Sequence, residues 1–535
     1  MAKHRLLYIP ILFLFTLSFV DCAKRGTPSG GKLDSIAPVL VKSNPENYSI
    51  NFKDKEIKIY FDEYIKFKNL QKELIISPPQ KYAPSITPLS TSKVIKIKIL
   101  DTLKENTTYS FNFGKSIVDN NEGNEFEFFK YVFSTGSYID SLKLKGTVKD
   151  ARFLELKGTV AVMLYEINEA YKDSIVFSEK PTYITVVKDS TNTFELTNLK
   201  AGKYLLMALE ENNSNYTYQP QSDKIGFIKE YITLPTDSSY TLRLFKEQQD
   251  FKFTRPKHQS KHHIIFGFQG TTDSIDVDLL SEVASNFKYK KYRDVATDSL
   301  HFWFQPEVKA DSLLFVAKTV KNQDTLTVRI RDLYNDTLNI SAISPSFIKI
   351  IDTFKLKANI PIISFNAEKI KVLNNDSVAL PTTTYINTKN NTAHILFDKE
   401  ESQVYNIQIL PEAITDFFEH VNDTLNYRVQ TKALADYGTL KMTLIHQKTH
   451  PIIVDLIDQQ QKIVASKYLT DTNEVFFNYI TPGKLYIRIS FDENKNGIWD
   501  SGNFLNKLQP EKVVYYPTLL DVRPNWDLVE TFTLE

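Results

Sequence analysis

The chain has 535 residues, with 65 Lys and Arg against 64 Asp and Glu, sixteen glycines and one cysteine. A formal charge of +1 supplies no concentrated positive field of the kind nucleic acid requires, so no nucleic-acid partner is expected. The hydrophobic share of 42%, with 36 Phe and 28 Tyr, excludes a disordered chain. A single cysteine excludes a disulfide scaffold, a cysteine-held iron–sulfur cluster and a Cys-based structural zinc site. At roughly 100–200 residues per domain, the length implies about three to five domains.

Lys3 and Arg5 precede an uncharged apolar run from Leu6 to Val20. As a helix this run spans about 22 Å, short of the roughly 30 Å hydrocarbon core, which fits a secretory signal better than a membrane span. Phe19-Val20-Asp21-Cys22 comes next, with the only cysteine of the chain. The segment resembles the lipobox of bacterial lipoproteins, in which the cysteine becomes the acylated first residue of the mature chain. Phe19 and Asp21 stand where a typical lipobox has Leu and a small residue. A signal cut elsewhere, with Cys22 incidental, is the alternative. The resemblance implies a signal peptide over 1–21, lipidation at Cys22 and attachment to a membrane through that lipid, each buried CH₂ adding about 0.8 kcal/mol. Residues 22–36, rich in Gly, Ser and Pro, read as a flexible tether.

Alternation dominates the chain beyond the tether. Glu56 to Phe61, Lys93 to Leu100, Leu142 to Lys145 and Thr325 to Arg331 set apolar residues at period two, which places one strand face on a core and the other in water. Turn clusters such as Asp119 to Asn124 and Asn374-Asn375-Asp376 separate such runs. Asp278 to Phe287 is one segment whose spacing predicts a short helix. Many short strands with frequent turns predict an all-β chain of sandwiches in series.

Two internal repeats sharpen this organisation. Residues 194–219 and 475–500 align at one constant offset, matching Gly202 with Gly483, Lys203 with Lys484, Glu211 with Asp492 and Asn215 with Asn496. Tyr218 then meets Trp499 and Gln219 meets Asp500. A weaker repeat pairs Tyr109 to Thr135 with Tyr405 to Thr431, each containing an Ile-x-Asp turn (Ile117 and Asp119, Ile414 and Asp416). The order is two units, a middle segment, then the same two units again, with boundaries near 138, 248, 346 and 434.

Ala37-Pro38, Asn44-Pro45, Phe61-Asp62-Glu63, Pro78-Pro79, Tyr109, the Asp119 to Asn124 turn and Phe133-Ser134-Thr135-Gly136 together resemble the SbsA-type bacterial Ig-like domain. With the lipobox ahead of it, the arrangement looks like the Ig-like-domain lipoproteins of Bacteroidota. Residues 37–137 are thus expected to be the Ig-like domain and 346–433 a degenerate copy without the Pro-Pro and the final Gly. Residues 138–248 and 434–535, with their Gly-Lys turns between strands, resemble prealbumin-like or carboxypeptidase-regulatory-like sandwiches. Residues 249–345 form a β-rich domain without a family.

The sharpest local signal is the stretch from Asp492 to Asp500. Asp492, Asn494, Asn496 and Asp500 set oxygen side chains at loop positions 1, 3, 5 and 9, with Gly497 at 6 and the Ile498 carbonyl at 7. This spacing reproduces the first part of an EF-hand-type loop, because Ca²⁺ takes six to eight oxygens and glycine permits the sharp turn that gathers them. Asn503 at position 12 stands where a bidentate Glu belongs, so a weak Ca²⁺ site is the expectation and a polar hairpin turn the alternative. The matching Glu211, Asn213, Asn215 and Gln219 loop has no glycine and less charge.

His258, His262 and His263 form one histidine cluster. A helix would place His258 and His262 on one face, in reach of zinc, but the basic, proline-led surroundings read as a solvated linker entering a strand from His263 to Phe268. Phe113-Gly114-Lys115-Ser116 lacks the first P-loop glycine, which is Tyr109, so no phosphate cradle is expected. The aromatic strand His301-Phe302-Trp303-Phe304 could stack on sugars if exposed, whereas aromatics in sandwiches usually fill the core. No Gly-x-Ser-x-Gly, His-Glu-x-x-His or Gly-x-Gly-x-x-Gly motif occurs, and no catalytic residue is assigned. The sum is a non-catalytic, lipid-anchored cell-envelope protein of the outer membrane, facing the periplasm or the surface. Its expected role is a structural or binding scaffold for an envelope protein or polysaccharide. Polysaccharide capture, and a hydrolase concealed in the middle segment, are the alternatives.

Overall fold

The computed structural model describes residues 34–187, 192–211, 213, 215–270, 272, 274–320, 323–445 and 451–534. The signal segment, Cys22 and most of the tether lie outside them. Strands make up nearly all the regular structure, and no helix among the described residues is long and apolar enough to cross a membrane. The protein is an all-β chain of tandem Ig-like and related sandwiches. It divides into two compact units, one running to Lys143 with Thr182–Ile184 and Leu196–Lys200, the other holding the remainder.

In the first unit the period-two pattern does what strand geometry requires. Ile57 and Ile59 of Glu56–Phe67 are fully buried and pair with Ile97 and Ile95 of Ser92–Lys98. The intervening lysines point away from the core. Leu40–Asn44, Ser85–Thr87 and Ile117–Asp119 complete this sheet, while Ile75–Ser77, Thr108–Asn112 and Lys130–Ser134 form the facing one. Phe111, Phe113, Tyr131 and Phe133 fill the space between the layers.

The second unit holds most of the second module and all of three more. In the second module Gly202–Glu210 lies between Val160–Glu166 and Lys224–Phe227, and Tyr240–Leu244 runs parallel to the end of Leu142–Asp150. The fifth module repeats this wiring. Gly483–Phe491 lies between Ile452–Ile457 and Val513–Tyr515, and Asp527–Thr533 runs parallel to Gly438–Ile445. The third module sets His263–Gln269, Ser299–Gln305 and Lys288–Asp294 against Asp276–Leu279, Ser312–Lys318 and Gln323–Arg329. The fourth stacks Phe354–Ala358 and Thr392–Leu396 on Ile370–Leu373, Val404–Ile409 and Leu425–Gln430.

Two sequence expectations are corrected. Ile340–Ala342 pairs with Phe354–Ala358, so the boundary drawn at 345 cuts a sheet of the fourth module. Asp278 to Phe287 is no helix: Asp276–Leu279 is a strand on Ser312–Lys318, and Leu280 donates its N–H to Leu314. The apolar spacing there arises because the chain leaves a strand into a loop whose Val283 and Phe287 pack on the same core.

The weak repeat has a common hydrogen-bonded corner. Tyr109 Oη accepts the Lys104 N–H at 2.9 Å, and Tyr405 Oη accepts the Glu400 N–H at 2.6 Å. Thr135 and Thr431 donate their hydroxyls to the same two residues' carbonyls, at 2.7 and 2.5 Å. A tyrosine bonding back to the backbone a few residues upstream is the corner device of Ig-type sandwiches.

The last module is fastened to the second by residues 501–509. Phe504 is fully buried and lies edge-on to Phe227 at 5.3 Å and to Phe177 at 6.5 Å. Its N–H is held by the Glu247 carboxylate, Lys507 Nζ reaches Asp173 at 2.7 Å, and Gln509 donates to the Phe227 carbonyl. Gly502 passes so close to Phe245 that a Cβ would sit 2.6 Å from its ring. Phe504→Ala is expected to cost about 3–5 kcal/mol, as for other buried Phe truncations. The check is an earlier thermal unfolding step that Lys507→Ala, with a partly exposed ion pair, reproduces only weakly.

Candidate functional site

The loop after Gly483–Phe491 is built around one buried carboxylate. Asp492 Oδ1 accepts the Asn496 N–H at 3.1 Å, and Oδ2 accepts the Gly497 N–H at 2.7 Å and the Tyr468 hydroxyl at 2.8 Å. Burial pushes the Asp492 carboxyl up, but these donors together outweigh it and hold the group below its ordinary range. Gly497 takes φ of 82°, the left-handed conformation that glycine adopts without penalty. Asn494 and Asn496 direct their amide nitrogens to Asp500 Oδ2, at 2.6 and 2.7 Å. The Ile498 N–H is received by Asn496 Oδ1.

Sequence reasoning missed Glu511. Its two carboxylate oxygens accept the Glu493 N–H at 2.8 Å and the Asp500 N–H at 2.9 Å, tying the loop to the strand after it. Burial, then the nearby Asp500 and Asp492, raise its pKa. Asn503, the nominal twelfth position, instead pairs with Leu508 in the arm that carries Phe504. Only the fold brings Glu511 to the loop, and no spacing rule could have found it.

The earlier copy makes the same turn. Glu211 accepts the N–H groups of Asn215 at 3.1 Å and Tyr216 at 2.8 Å, the same steps along the chain as Asn496 and Gly497 from Asp492. Tyr216 takes φ of 59° where Gly497 has 82°. The Gln219 N–H goes to Asp223. The repeat thus encodes a carboxylate-centred turn that closes by hydrogen bonds. Among the described residues no group of three His, Cys, Asp or Glu side chains is gathered to hold a metal. Oxygen ligation at Asp492, Asn494, Asn496, Ile498 and Asp500 requires both asparagine amides to turn over, because their nitrogens now face Asp500.

The histidines are not a solvated linker. His258 sits buried in the strand Lys257–Ser260 and accepts the Arg331 N–H at 3.1 Å. His263 is buried, lies flat on Trp303 with centroids 3.9 Å apart, and meets His301 at 2.9 Å. The strand pairing Lys257–Ile265 and His258–Ile264 forbids the helical face that zinc would need. Phe302, Trp303 and Phe304 are all buried, so this aromatic strand fills the core and presents no stacking platform.

A cleft of about 560 Å³ opens beside these histidines, lined by Tyr292, Asp294, His301, Asp336 and Lys357 among others. Ser299 Oγ lies 3.2 Å from His301, yet Ser299 is buried and does not line the cleft. Burial lowers the His301 pKa to about 4, which makes it a feeble base at neutral pH. Asp294 is engaged by Lys357 at 2.9 Å and Asp336 by Ser260.

The bacterial Ig-like domain family matches residues 34–135. A search of curated proteins finds no match to the chain. Among solved structures, the chain is similar to domains 1–6 of the surface layer protein SbsC, at 13% identity over 91% of this chain and 67% of that one, TM-score 0.16. It is similar to the Bacillus anthracis TIE protein at 12% identity over 95% and 76%, TM-score 0.15. The I9–I11 tandem of titin aligns at 9% identity over 53% of this chain and all of that one, TM-score 0.12. Superpositions this loose carry no functional argument.

The neutral histidine pair sets a pH dependence. Burial lowers both histidines, His263 further than His301. Unfolded, each takes a proton below its ordinary value of 6.5, whereas folded His301 waits until about 4. Stability is therefore full above pH 6.5 and falls as pH drops toward 4, by up to roughly 1.4 kcal/mol per unit for one such group. His301→Gln is expected to flatten the urea midpoint's pH dependence across that window; an unchanged slope places the protons elsewhere.

Proposed function

We propose that this chain is a non-catalytic cell-envelope scaffold, fastened to a membrane by lipid on Cys22 and displaying its β-sandwich modules as a structural or binding surface. The observation that carries this is the bacterial Ig-like domain matched from residue 34, directly behind the lipobox-like segment and its tether. The Ig-like first module and the repeated sandwiches suit a chain that spaces or presents rather than one that turns over a substrate. The partner belongs to the envelope, as a protein or a polysaccharide, with the outer membrane as the expected address.

Fractionation of cells expressing the full chain tests the anchor. Wild type is expected in the membrane fraction with a labelled fatty acid incorporated. Cys22→Ala is expected to lose the label and become soluble after cell breakage. A wild-type chain found unlabelled in the cytoplasm sinks the proposal, and protease digestion of intact cells then reports the side it faces.

A subsidiary proposal concerns the Asp492 to Asp500 loop. Asp492 and Asp500 belong to the loop and both act on Glu511 through space, so Ca²⁺ at a Kd of roughly 10⁻⁴–10⁻³ M would relieve that repulsion once the asparagine amides turned their oxygens inward. Millimolar Ca²⁺ is expected to raise the melting temperature of wild type and to lose that effect in Asp492→Ala. Asp500→Asn, a milder change at a more exposed position, guards against simple misfolding. Equal melting of wild type with Ca²⁺ and with chelator leaves the loop a hydrogen-bonded turn.

A further inference from the structure

The second and fifth modules, both in the larger unit, enclose a cleft of about 540 Å³ that continues into a smaller one of about 290 Å³. Arg152 and Trp499 line both. The Arg152 guanidinium lies 4.9 Å from the centre of a Trp499 ring and makes no hydrogen bond among the described residues. Lys246 stands at the same rim, exposed and without a carboxylate partner among them.

The acids around the cleft are already engaged. Asp150 holds Lys224 at 2.8 Å and the N–H groups of Arg152 and Phe153. Asp455 holds Arg488 at 2.8 Å and the Ser466 hydroxyl at 2.7 Å. Glu247 is bound by the Phe504 N–H, and Asp500 by two asparagine amides. Arg152 and Lys246 are thus left without a hydrogen-bonded acid among the described residues. A half-buried arginine with no hydrogen-bonded acceptor is an incomplete arrangement: Asp455 and Asp150 act on it through space, but at contact distance its donors have gained only a ring face.

Comparison of the two repeated modules shows that the fold does not need this polarity. In the second module the cross-strand pair Met163 and Met207 occupies the place of Asp455 and Arg488 in the fifth. The repeat offset likewise matches Leu209 to Ser490, which lines the cleft. A buried ion pair holds a sheet no better than well-packed apolar residues of similar size. The charged version stands where the cleft is, and the apolar version is sufficient for the same sheet in the other copy.

We propose that this cleft binds a small molecule through its carboxylate, with Arg152 and Lys246 as counter-charges and the Ser490 and Ser501 hydroxyls as further partners. The guanidinium fork matches a planar carboxylate in a two-point contact. Its volume falls in the usual range for small-molecule sites, about 300–1,000 Å³. The four acids at the rim favour a monoanion over a more highly charged phosphate. This site is independent of how the chain is anchored.

Calorimetric titration of the full chain at low ionic strength tests it, with glucuronate, acetate, inorganic phosphate and uncharged glucose as probes. Saturable binding of glucuronate or acetate is expected, with phosphate weaker and glucose silent; tighter binding of glucuronate than acetate shows that the sugar ring also contributes. Arg152→Gln is expected to weaken carboxylate binding about tenfold or more, and Lys246→Gln by roughly threefold. Should Arg152→Gln melt early, the exposed Lys246→Gln decides, since it leaves the fold untouched. The proposal is overturned by absence of saturable binding with both carboxylates, or by unchanged affinity in both variants.

Discussion

The larger unit depends on one contact: Phe504, carried on an arm of the fifth module, buried among Phe177 and Phe227 of the second. Everything between those modules is thereby closed into a loop rather than left as a string. Aromatic burial provides the force, and the flanking polar contacts from Glu247, Asp173 and the Phe227 carbonyl fix the register. The same closure creates the cleft at Arg152 and Trp499, because two sandwiches joined at one end leave an uncovered groove beside the joint.

Duplication supplies the rest of the architecture. Tyr109 and Tyr405 make one corner twice, and Glu211 and Asp492 centre one turn twice. The corner keeps its chemistry in both copies because a buried tyrosine hydroxyl must find a partner in either. The turn tolerates change, with Tyr216 accepting the strained conformation that Gly497 takes freely. Where the copies differ at Met163 and Met207 against Asp455 and Arg488, the difference lies at the cleft.

Buried polar groups mark the two places where the sandwiches meet sideways. One holds the neutral pair His263 and His301 against Trp303, and the other holds Asp455 and Arg488. Both sit on strands buried on both faces, where a sandwich would ordinarily be apolar throughout. In the first, the two rings bond to each other and His301 to Ser299, while the buried Trp303 indole N–H has no hydrogen-bond partner among the described residues. The second borders Arg152, whose guanidinium has no hydrogen-bonded acceptor among the described residues and faces an open cleft.

Much of the fold was legible in the chain because strand periodicity is local: Ile57, Ile59, Ile95 and Ile97 alternate with lysines, and this alone assigns their faces. The repeats were legible because duplicated turns keep their spacing, from Gly202 and Gly483 to Asn215 and Asn496. The short apolar run after Asp278 misled because one turn of helix and a strand leaving its sheet look alike over a few residues. The histidines misled because basic neighbours such as Lys257 and Lys261 suggest solvent, while partners distant in sequence bury the rings. Sequence by itself therefore determined the all-β class, the faces of the strands and the spacing of the repeated turns. Only tertiary structure decided that Phe504 fastens the last module to the second, that Glu511 completes the Asp492 loop and that Arg152 faces an open cleft. Each of these joins residues far apart in the chain, and such contacts arise from packing that no local pattern records.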